Sequence, residues 1–95
     1  MEGKIKLYEG LELTVKKLPN SEDLQNLADF GIDLLSGVDY GVVLLESFRD
    51  MEKMRTLVGL IFEGDIPEVI EPKVTGPAIN EALRSFFGKF GLSFL

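Results

Sequence analysis

The feature that most constrains the fold lies between Lys4 and Lys16, where apolar and polar residues alternate. Ile5 and Leu7 alternate with Lys4 and Lys6, and Leu11, Leu13 and Val15 with Glu12, Thr14 and Lys16. A period of two puts every apolar side chain on one face of a pleated strand. A two-residue turn at Glu9-Gly10 would set Leu7 opposite Glu12 and spoil that face. A three-residue loop, Tyr8-Glu9-Gly10, pairs Leu7 with Leu11 and Ile5 with Leu13. Gly10 supplies the left-handed residue such a loop needs. The chain is therefore expected to open with a β-hairpin that has one face to bury.

The rest of the pattern is largely helical. Leu18-Pro19-Asn20-Ser21 breaks the strand. Asn20 or Ser21 caps a helix whose first turn carries Glu22 and Asp23, suited to its positive end. Leu24, Leu27, Ala28, Leu34 and Leu35 lie near one face of it. Gly31 is a candidate interruption, and Ser36-Gly37 a plausible end. Val42-Val43-Leu44-Leu45 is too short for periodicity to separate a buried strand from the start of a helix. Gly37 and Gly41 before it favour a short strand. Ser47-Phe48-Arg49-Asp50 resembles a capping box with Asp in place of Glu. Phe48, Met51, Met54 or Arg55, Val58, and Ile61 or Phe62 follow at helical spacing, and Glu63-Gly64 closes that helix. Asp65 and Pro67 allow one helical turn before Pro72. Thr75-Gly76-Pro77 starts a last helix with the stripe Ile79, Ala82, Leu83, Phe86, Phe87 and Phe90, weakened at its end by Gly88 and Gly91.

The expected class is α+β. An N-terminal β-hairpin, with one further short strand at most, packs against about three amphipathic helices. Its 95 residues make a single small domain, with residues 88–95 a candidate mobile end.

Composition removes whole classes of chemistry. There is no cysteine and no histidine, so disulfides, thiolate and imidazole metal sites, and His-dependent triads are excluded. Glu22-Asp23 and Glu63/Asp65 are the carboxylate groupings. Each has an ordinary explanation, in helix capping and in a surface turn respectively. Neither an EF-hand loop nor a phosphate-binding glycine pattern occurs. No catalytic, cofactor-binding or metal-binding residue is therefore expected, and an enzymatic role is not. Ten basic residues against sixteen acidic ones give a net charge of −6, with no basic cluster, so nucleic acid is not an expected partner. The N-terminus lacks the apolar core of a signal peptide, and no apolar run approaches the ~20 residues of a membrane span. The expectation is a cytoplasmic protein that does not enter a membrane.

What remains is protein binding. Phe86, Phe87, Phe90, Leu92, Phe94 and Leu95 crowd the last ten residues, and Met51 and Met54 sit on the central helix. Phe86 and Phe87 fit the core stripe. The residues around and beyond the glycines suit docking on a partner, self-association, or packing back on the hairpin. Methionines fill either a core or an adaptable binding face.

The order of these features resembles the small tail assembly chaperones of long-tailed bacteriophages and prophages. The likeness is carried by the hairpin Lys4–Leu13, the leucine-rich segment from Asp23-Leu24 to Gly31-Ile32-Asp33-Leu34-Leu35, and Asp50-Met51-Glu52-Lys53-Met54-Arg55-Thr56-Leu57. Val74-Thr75-Gly76-Pro77 leading into Glu81-Ala82-Leu83-Arg84-Ser85-Phe86-Phe87 completes it. The resemblance implies a non-enzymatic protein of the host cytoplasm. Such a protein binds the elongated, helical tape measure protein and keeps it soluble until tail-tube subunits assemble around it. It also allows a homo-oligomer. The alternative is an interaction or regulatory module with no phage role.

Overall fold

In the computed structural model, which describes residues 3–36 and 39–94, the protein is α+β: a three-stranded antiparallel sheet with four helices. Strands β1 (Lys4–Tyr8) and β2 (Leu11–Val15) form the expected hairpin. Ile5 faces Leu13 as the alternation requires, flanked by Lys4 opposite Thr14 and Lys6 opposite Glu12. Near the tip the pairing differs. Tyr8, not Leu7, faces Leu11, and the register shifts between Lys6 and Tyr8. The extra residue keeps Leu7 and Leu11 buried together across a shorter turn. Gly10 has the expected positive φ of 98°.

Helix α1 (Ser21–Phe30) begins at a reciprocal cap. Asn20 Oδ1 accepts from the Asp23 N–H, and Asp23 Oδ2 accepts from the Asn20 N–H, both at 2.9 Å. The helix stops at Gly31, six residues before the expected Gly37. Gly31 takes φ 121°, donating to the Ala28 carbonyl while the Ile32 N–H reaches the Leu27 carbonyl. This glycine-terminated motif turns Ile32 into the core and leaves Leu34 and Leu35 outside the helix. Gly37 and Val38 lie outside the described residues.

The Val42–Leu45 run is not a strand. It belongs to helix α2 (Gly41–Arg49). A helix satisfies its backbone groups internally, and here it packs on α3 (Met51–Ile61) with Val43, Leu44 and Phe48 against the core, while the sheet's third strand is β3 (Phe62–Glu63), paired to β2. Ser47 likewise caps nothing. It lies inside α2, buried, with its hydroxyl donating to the Val43 carbonyl at 2.9 Å. The cap of helix α3 (Met51–Ile61) is Asp50, whose Oδ1 accepts from the Glu52 and Lys53 N–H groups. Asp50 alone separates the two helices. The third strand is not at Val42–Leu45, where the sequence favoured one, but at β3, where the end of a helix was expected at Glu63-Gly64.

No helical turn forms between Asp65 and Pro72. Pro67 and Pro72 bias Ile66 and Glu71 away from helical backbone, and residues 64–75 run as an irregular connection. It is tied across the free side of β1. The Thr75 N–H donates to the Leu7 carbonyl, and the Glu71 N–H to the Tyr8 hydroxyl. Helix α4 (Gly76–Gly88) then starts where expected, with Thr75 Oγ1 accepting from the Ala78 N–H.

The core lies between the sheet and the helices. Ile5, Leu7, Leu11, Leu13, Val15 and Phe62 face Met54, Leu57, Val58 and Ile61 of α3 and the full α4 stripe from Ile79 to Phe87. α4 packs on β1 and β2, α1 on α3, and α2 chiefly on α3. The opposite face of the sheet is charged, with Lys4 paired to Glu12 and Lys6 to Glu9.

Candidate protein-interaction surface

The aromatic cluster of the C-terminal segment is a packed ladder rather than an open patch. Phe86 and Phe87 are fully buried on α4, edge to face at 5.5 Å, and Phe86 touches Phe90 at 5.6 Å. Past α4 the chain turns at Gly91, φ 75°, with the Gly91 N–H on the Gly88 carbonyl and the Leu92 N–H on the Phe87 carbonyl. This is the same ending as at Gly31. The turn sends Phe94 back over Phe87, where the rings stack at 5.8 Å and 10°. Phe94 also stacks on Tyr40 at 5.2 Å and 26°. Phe94 is buried, and Phe90 and Leu92 are half-buried. Leu95 lies outside the described residues.

The expected docking residues Phe86, Phe87, Phe94 and Met54 are therefore in the core, and in this conformation no partner reaches them. The reason is topological. Met54 faces the sheet from α3, Phe86 and Phe87 lie on the buried face of α4, and the Gly91 turn folds Phe94 back onto Phe87. Met51 is half-buried and lines a groove of about 210 Å³ with Glu52, Arg55, Glu68, Val69 and Ile70.

The exposed apolar side chains are elsewhere. Leu18 is 93% exposed, Val69 75%, Leu35 72%, Val42 60% and Leu45 51%, and of these Val42 and Leu45 alone lie on a helix. Val42 and Leu45 are three residues apart, so they share the outward face of α2 with Glu46 and Arg49. Glu46 is paired to Lys53 at 3.6 Å. Val43, Leu44 and Phe48 face inward and are half-buried, and the only buried residue of α2 is Ser47. The signal for this surface was present in the sequence. Four successive apolar residues in a helix wrap more than half its circumference, so some of them must face out. It was hidden by reading the run as a strand, in which all four could be buried.

The carboxylates serve local structure. Hydrogen bonding from the Asn20 backbone, with help from the Lys16 ammonium 3.0 Å away, holds the Asp23 carboxyl below the usual aspartate range, against a smaller opposing effect of burial. Glu63 Oε1 accepts from the Lys17 N–H at 2.9 Å. Glu9 is lowered and Lys6 raised by their mutual ion pair on the open sheet face. Among the described residues, no group of three or more carboxylates is placed to hold a metal ion. Nor is any helix there long and apolar enough to cross a membrane.

No protein-family model, curated protein or solved structure matches the chain.

Proposed function

We propose that the protein is a non-enzymatic binding protein of the tail-assembly-chaperone kind, which covers apolar helical surface on a tape measure protein during tail morphogenesis. The observation that carries this reading is α2. It is a nine-residue helix with a run of four apolar residues, yet its one fully buried side chain is a serine. Val42 and Leu45 offer an apolar ridge at helical spacing, the form in which one helix seats against another. The net charge of −6 keeps a carrier of such a ridge, and its complex, dispersed.

Coexpression with the tape measure protein of the same genome tests the reading. A soluble complex is expected from the unaltered chain, and its loss from Val42→Asp/Leu45→Asp. A complex that survives this double substitution removes α2 from the interface. A monomer that leaves the tape measure protein insoluble refutes the chaperone role. Capture of one defined protein unrelated to tails would instead identify a general interaction module.

A further inference from the structure

We draw no further inference here: the strongest candidate, the groove of about 210 Å³ between the start of α3 and the connection to α4, where Met51, Val69 and Ile70 meet Arg55, Glu52 and Glu68, carries nothing because its rim bears charges of both signs and nothing in the structure shows what covers it.

Discussion

Gly31 is the residue on which the junction of α1 and α2 turns. Its φ of 121° is rarely adopted by L side chains, and an added Cβ would lie 2.7 Å from Val43 Cγ2. Gly31→Ala therefore combines backbone strain with overpacking, and should lower unfolding free energy by about 2–4 kcal/mol in a urea titration. Gly31→Ala/Val43→Ala should cost less than the sum of its single changes, because the second removes the atoms struck by the first. Asp23 makes a prediction of opposite character. Its carboxyl is held low in the fold, so its ionised form stabilises the protein above the unfolded pKa of about 3.9. That contribution fades as pH falls through the folded value. Asp23→Asn should be less stable by about 1 kcal/mol at neutral pH. The gap should close near pH 2, as read from denaturation curves across that range. Both residues show how unevenly a sequence discloses its structure. The cap was legible to within Asn20 or Ser21, and Asp23 as an acid of the first turn, because capping is a local matter of a few neighbours. Gly31 was visible only as an interruption, since its reason lies in Val43, which is brought against it by the tertiary fold.

At the scale of elements, α2 is the one whose identity and exposure the alternation rules could not reach. The hairpin and α4 were legible because each has a single face to bury, and period two or period 3.6 says which. In Val42–Leu45 every position is apolar, so the pattern carries no period. Strand or helix is decided by tertiary packing, here α2 lying on α3 with Val43 against Gly31, twelve residues earlier in the chain. The same separation explains why the docking residues were sought at the C-terminal segment instead of on α2. A consequence can be measured. Val42→Asp/Leu45→Asp changes outward side chains only, and should shift stability by less than about 1 kcal/mol by denaturant titration. Leu44→Ala, on the inward face, should cost about 1–2 kcal/mol in the same assay. If the outward pair proved as costly as the inward residue, α2 would be packed on both sides and unavailable as a ridge.

For the whole molecule, the Cα radius of gyration of 12.3 Å matches the ~12 Å of a compact chain of this length. The chain as a whole carries a net charge of −6. Net charge is then what holds copies apart, and the sequence isoelectric point is about 4.5. Light scattering at increasing acidity should show association growing as the pH approaches that value. Val42→Asp/Leu45→Asp should reduce it at that pH, because it removes two exposed apolar side chains and adds two carboxylates. The direct passage of α3 into β3 bears on a different matter, the lengths that descendants of this chain can have. Ile61 ends the helix and Phe62 begins the strand, so nothing between them can absorb an added residue. One insertion within α3 would turn everything before it by about 100° relative to the sheet and carry Met54 and Leu57 off the core. Within residues 64–75, Ile70 is buried and Glu71 and Thr75 are tied to β1, but Gly64, Asp65, Glu68 and Val69 are exposed, so growth and loss of sequence should accumulate around these four, while the stretch from Asp50 to Glu63 is inherited as a fixed measure.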